Sequence, residues 1–120
     1  MTAELILFIY GTLKRGCRNH SVMRGAEFAG QAATEPAYLL VNCGAYPGLV
    51  RAAGERTGVS VRGELYRVDG ALLAELDRFE GVPSDYVRAM VRLADGSEAQ
   101  TYLYARSTAG MELCGAEWVE

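Results

Sequence analysis

Glu80 stands between Phe79 and Gly81-Val82-Pro83, at the end of a segment that reads as a helix. A helix C-terminus carries partial negative charge, which disfavours a carboxylate there. Apolar neighbours disfavour ionisation further, so both effects push the pKa of Glu80 toward neutrality. A carboxyl group tuned in this way can take a proton and return it, the work of a general acid/base. A solvated glutamate at a helix end would be inert, and residue type alone does not separate the two readings. Glu75 and Asp77, in the same segment, read as its polar face.

The second candidate is the turn Tyr10-Gly11-Thr12-Leu13 with Lys14-Arg15-Gly16 behind it. A buried strand that stops at Tyr-Gly-Thr leaves a run of backbone N–H groups at the sheet's end. Such oriented donors can cradle an anion or a developing oxyanion. Gly11 permits close approach, and Thr12 adds a hydroxyl. Neither G-x-x-x-x-G-K-[ST] nor G-x-G-x-x-G is present, so this is no nucleotide-phosphate loop. An ordinary strand-to-loop turn with two solvated basic residues accounts for the same letters. His20 is the only histidine and lies three residues after Cys17, one metal half-site that Cys43 and Cys114 do not complete. No metal is therefore expected. A Cys17-based thiol enzyme is a further reading, one that spacing cannot establish because activation needs contact in three dimensions. Among the seven tyrosines, Tyr10, Tyr46 and Tyr86 adjoin loops and are the ones placed to reach a pocket.

These residues need a scaffold. Leu5–Tyr10 is a continuous apolar run ended by Gly11, which reads as a buried central strand. Gly11–Gly16 follows as a tight loop and His20–Arg24 as a short helix. Phe28–Leu40 holds one or two strands broken near Pro36, and Asn42–Gly48 reads as a loop. Across Val59–Val68, Val59, Val61, Gly63 and Leu65 alternate with Ser60, Arg62, Glu64 and Tyr66, the pattern of a half-buried strand. Asp69 is a good N-cap for a helix carrying Leu72, Leu73, Leu76 and Phe79 at helical spacing. Gly81 suits its left-handed terminus and Pro83 blocks continuation. Tyr86–Leu93 and Glu98–Ala105 flank Asp95-Gly96, a hairpin signal. The pattern predicts an α+β domain built on a small mixed sheet, open or closed.

Composition narrows the function. The 120 residues suit a single domain spanning 1–120, and an apolar share of 50% is that of a globular chain. With 12 Lys and Arg against 15 Asp and Glu, the net charge of −3 argues against nucleic acid held by bulk charge. No apolar run approaches the roughly 20 residues that span a bilayer, and Leu5–Tyr10 lacks the flanks of a signal peptide. Three widely spaced cysteines fit reduced thiols in a cytoplasmic protein.

The blocks Phe8–Gly16 with Asn19-His20, Tyr46–Val50, Val61–Asp69, Leu76–Pro83 and Tyr86–Arg88 stand in an order that resembles the γ-glutamylcyclotransferase-like family. Y-G-T-L-K-R-G followed at this separation by L-D-x-F-E-G-x-P-x-x-Y is a specific signature. The first of these motifs is most similar to the γ-glutamylamine cyclotransferase, AIG2-like, branch. Met111–Glu120 matches nothing specific to the family. The resemblance implies a small mixed β-barrel with helices packed around it, and a pocket in which Tyr10, Gly11, Thr12, Leu13 and Tyr86 bind a small γ-glutamyl substrate. It implies Glu80 as the catalytic acid/base, 5-oxoproline and a free amine as products, and no cofactor. Family members without the glutamate make a non-catalytic binding module on the same fold the alternative; this chain has the glutamate.

Overall fold

The computed structural model describes residues 4–53 and 57–120. Strand β1 (Leu5–Ile9) is followed by the catalytic-loop candidate, a 3-10 turn at His20–Met23, β2 (Glu27–Ala33), β3 (Tyr38–Asn42) and β4 (Pro47–Arg51). Then come β5 (Arg62–Val68), helix α1 (Gly70–Glu80), β6 (Tyr86–Arg92) and β7 (Glu98–Tyr104). The strands form one seven-stranded mixed sheet in the order β2-β5-β1-β7-β4-β3, with β6 paired to β7 off that path. Strand β1 lies between β5, antiparallel, and β7, parallel. Its continuous apolar run follows from that central place. Leu7 and Ile9 face one core with Leu73, Leu76, Tyr66 and Tyr102, while Phe8 and Tyr10 face a second with Leu40, Leu49, Val61 and Leu103.

The barrel expected from sequence is not what forms. The sheet ends in β2 on one side and β3 on the other, and no ladder joins them. Among the described residues isolated bridges alone supplement the ladders, Thr34↔Leu93 from the end of β2 to the end of β6, Tyr38↔Val59 and Val41↔Leu113. The physical reason is the split of β7, which meets β1 at Gln100 and β4 at Leu103 while β6 runs along its full length. A sheet that branches in this way is curled and open.

Three further expectations change. The segment read as a loop through Gly48 already enters β4 at Pro47, which pairs with Asn42. Strand β5 is covered on both faces, Tyr66 and Val68 lying in the core with the α1 leucines and Leu65 against the second core, so Glu64 and Tyr66 are buried rather than solvated. Phe79, spaced to join the helix's apolar face, is 45% exposed, while Leu72, Leu73 and Leu76 fill the core. Each of those leucines contributes about 1.5–3 kcal/mol by burial.

Helix α1 begins and ends as its letters dictate. The Asp69 carboxylate accepts from the Leu72 N–H at 2.8 Å. Gly81 takes φ of 70°, a left-handed cap whose N–H returns to Arg78. Pro83 follows, and the Asp95-Gly96 turn closes the β6–β7 hairpin with Asp95 accepting from the Ser97 N–H at 2.9 Å. No helix among the described residues is long and apolar enough to cross a membrane.

Candidate active site

A cavity of about 300 Å³ opens where β1, the end of α1, β4 and the hairpin converge. All six residues singled out from sequence line it: Tyr10, Gly11, Thr12, Leu13, Glu80 and Tyr86. Tyr46 and Pro47 line it as well, from the turn into β4. Strand β1 delivers the turn, and the capped end of α1 delivers Glu80.

The turn is held from behind. The Gly11 carbonyl accepts from Lys14 N–H at 3.1 Å and the Thr12 carbonyl from Asn19 N–H at 3.0 Å. His20 Nδ1 lies 2.8 Å from the Leu13 carbonyl, and the Lys14 carbonyl accepts from Cys17 N–H at 3.0 Å. With the carbonyls drawn back, the N–H groups of Gly11, Thr12 and Leu13 donate to no acceptor among the described residues. The two basic residues are not simply solvated. Lys14 is buried, its Nζ donating to the Trp118 carbonyl at 2.6 Å, and the Arg15 N–H donates to Glu64 at 2.9 Å. Gly11 is required sterically: a Cβ there would meet Pro47 Cγ at 2.8 Å.

Burial pushes Glu80 from the ordinary carboxylate range up to about 7. No hydrogen bond or ion pair among the described residues engages its carboxylate, so nothing offsets the loss of water. Helix-end charge, the other cause read from sequence, is not needed. Tyr10, Tyr86 and Tyr102 are all pushed up, first by burial, and the Glu80 charge contributes to each. These three rings surround the carboxylate, but their hydroxyls serve the frame. Tyr10 donates to the Tyr102 carbonyl at 2.7 Å and accepts from Leu49 N–H at 3.2 Å. Tyr86 donates to the Pro47 carbonyl at 2.7 Å, and Tyr102 to Asp77 at 2.7 Å.

The thiol reading finds no activation. Burial pushes the Cys17 thiol up, away from the thiolate, and His20 faces the Leu13 carbonyl. Arg51, Arg62 and Arg88 do not line the cavity; Arg88 is paired with Asp77 at 2.9 Å and Arg62 with Glu117 at 3.5 Å. Sequence reasoning did not single out Asn19, Phe79, Asp85 or Tyr102 as lining residues. Of these, Asn19 and Phe79 stood within the blocks that resemble the family and Asp85 beside Tyr86, whereas Tyr102 carried no local signal.

A cavity with one elevated carboxyl group, a row of unpaired N–H donors and no basic lining residue is built for an acid/base step on a neutral or zwitterionic substrate. The family described as Gamma-glutamyl cyclotransferase, AIG2-like, matches residues 7–120. The chain belongs to this family. The rat gamma-glutamylaminecyclotransferase is 36% identical over 118 residues, spanning 85% of this chain and 78% of the relative. The gamma-glutamylcyclotransferase family protein YtfP of Escherichia coli K12 is 34% identical over 115 residues, 95% of this chain and 96% of the relative. The crystal structure of an AIG2-like protein from Mus musculus superposes with a TM-score of 0.71 at 36% identity, covering 89% of this chain and 80% of that one. As a member of the AIG2-like gamma-glutamyl cyclotransferase family, the chain is a cyclotransferase-type enzyme. The mixed sheet with its helix α1 matches the fold of that AIG2-like structure.

Proposed function

We propose that this chain is a γ-glutamylamine cyclotransferase, releasing 5-oxoproline and a free amine, with Glu80 as the acid/base. One observation carries the reading: Glu80, pushed up to about 7 by burial, shares a cavity with the unpaired N–H groups of Gly11–Leu13. The cavity holds the glutamyl group folded so that its α-nitrogen meets the γ-carbonyl carbon, which raises the effective concentration of the two. Glu80 takes a proton from the α-ammonium. The freed amine attacks, the new C–N bond closes a five-membered ring, and the carbonyl oxygen becomes an oxyanion held by the Gly11–Leu13 N–H groups. Protonated Glu80 gives its proton to the γ-amide nitrogen, the old C–N bond breaks as the carbonyl re-forms, and the emptied carboxylate takes the second proton from the ring nitrogen and passes it to the departing amine. Both protons lost by the α-nitrogen leave with the amine.

The amine branch is favoured by the rim. At about 300 Å³ the cavity sits at the small end of ligand pockets, enough for a glutamyl group. The leaving group then lies against Phe79 and Tyr46, whose rings are 45% and 44% exposed and suit an alkyl stem. The rat relative's name points the same way. Three free thiols accord with a cytoplasmic setting.

The test is 5-oxoproline release from ε-(γ-glutamyl)lysine, γ-glutamyl alkylamines, γ-glutamyl dipeptides and glutathione, by wild type and Glu80→Gln. Turnover of the amine substrates, lost in the variant, is the expected result. Release by Glu80→Gln at the wild-type rate would remove Glu80 from the reaction, and preference for dipeptides or glutathione would overturn the amine assignment.

A further inference from the structure

The side-chain amide of Asn19 donates to the Thr12 hydroxyl oxygen at 3.1 Å. Both residues line the cavity, and Thr12 is buried with 9% of its surface exposed. An amide N–H only donates, so this bond can use a lone pair of the hydroxyl but never its proton. No acceptor among the described residues takes that proton. A buried donor without a partner is destabilising, and the group that satisfies it must come from the cavity.

We propose that Asn19 is a positioning residue that fixes the Thr12 hydroxyl as a donor into the cavity, where it joins the Gly11–Leu13 N–H groups on the oxyanion of the reacting γ-carbonyl. The proposal rests on the cyclotransferase reading. The Asn19 backbone is itself clamped, its N–H donating to the Thr12 carbonyl at 3.0 Å, which keeps the start of the side chain beside its neighbour. His20 secures the next carbonyl, at Leu13. Among the described residues no lysine or arginine lines the cavity, so charge on that oxygen is met by neutral donors. Each such donor then matters, because a dipole set in place before reaction needs no reorganisation as charge develops. The charge exists in the transition state and not in the bound substrate. Loss of the donor therefore lowers kcat and leaves KM nearly unchanged.

The experiment measures kcat and KM for wild type, Asn19→Ala, Asn19→Asp, Thr12→Val, Thr12→Ser and the double variant Thr12→Val/Asn19→Ala, on the amine substrate that turns over fastest. Asn19→Ala and Thr12→Val are each expected to lower kcat by about ten-fold or more with KM within about two-fold. In the Thr12→Val background, Asn19→Ala is expected to cost nothing further, since its effect runs through the hydroxyl. Thr12→Ser keeps the donor and most of the rate. Asn19→Asp is nearly isosteric and reverses the bond, drawing the Thr12 proton onto a carboxylate; it is expected to be slower than Asn19→Ala. Equal losses from Asn19→Ala with and without the Thr12 hydroxyl would overturn the proposal, as would an Asn19→Asp enzyme faster than Asn19→Ala. If Asn19→Ala fails to fold, an Asn19→Asp enzyme as fast as wild type, or a Thr12→Ser enzyme no faster than Thr12→Val, overturns the proposal instead. A wild type that makes no 5-oxoproline overturns the cyclotransferase reading, and this proposal with it; an active wild type with independent losses overturns only the proposal.

Discussion

The Tyr102 hydroxyl donates to Asp77 Oδ1 at 2.7 Å, one helical turn before Glu80 on α1. The same oxygen accepts from Arg88 Nε at 2.9 Å. A single carboxylate oxygen thus ties the end of α1 to both strands of the hairpin, and the helix end bearing Glu80 inherits its position from that tie.

Tyr102→Phe removes one of the two bonds and leaves Asp77 to Arg88. A loss of about 1 kcal/mol in unfolding free energy is expected by urea titration. A several-fold drop in kcat should accompany it, because the general base is held less firmly. Unchanged kcat alongside the stability loss would show that Glu80 is positioned by other contacts.

Activity should fall on the acid side. In the proposed mechanism Glu80 must be ionised to take the α-ammonium proton, and burial pushes it up to about 7, so kcat/KM is expected to decline as pH drops through that value. A profile flat from pH 5 to 8, measured by 5-oxoproline release, would contradict the assignment.

The same shift has a stability signature. The folded pKa of Glu80 lies above its unfolded value, so the folded state binds the proton more tightly, and stability from this group is lost as pH rises from about 4.5 to about 7. Glu80→Gln removes that loss. The variant is expected to be more stable than wild type above pH 7, on the order of 1–3 kcal/mol, with the advantage vanishing toward pH 4. Urea titrations of both proteins at pH 4 and pH 8 measure the difference.

Tyr10→Phe deletes a hydroxyl that serves the Tyr102 carbonyl and the Leu49 N–H at once. Both partners are buried backbone groups between β7 and β4. A destabilisation of about 1–3 kcal/mol is expected from denaturant unfolding. A neutral substitution would show that water replaces the hydroxyl there.

Gly11→Ala places a methyl group 2.8 Å from Pro47 Cγ and 3.1 Å from Cδ. Pro47 cannot yield easily, since its carbonyl receives the Tyr86 hydroxyl and its strand pairs with β3. The clash must displace the turn or narrow the cavity. Raised KM and a stability loss of about 1–3 kcal/mol are expected together, from steady-state kinetics and thermal unfolding.

Local chemistry made much of this legible in the letters. The buried β1, the Asp69-to-Gly81 helix with Pro83 beyond it, the break at Pro36 and the Asp95-Gly96 hairpin each follow from rules acting within a few residues. The exposed-amide turn at Gly11–Leu13 and the carboxylate at a helix end were each legible as candidates in the same way, while their pairing came only from the resemblance to the family. Whether Glu80 would be solvated or buried depended on the cavity it shares with Tyr10, Tyr86 and Tyr102, which come from the end of β1 and from the distant β6–β7 hairpin. The open sheet depended on how β6, β1 and β4 share β7, a contest that no single strand's periodicity records. Strand β4 was hidden because Pro47-Gly48 punctuates like a loop until Asn42 pairs with it. Glu64 and Tyr66 alternate like solvent-facing residues, yet covering both faces of β5 buries them. Alternation and capping are read from neighbours along the chain, whereas burial, and with it the pKa of Glu80 and the free proton of Thr12, is set by neighbours across space.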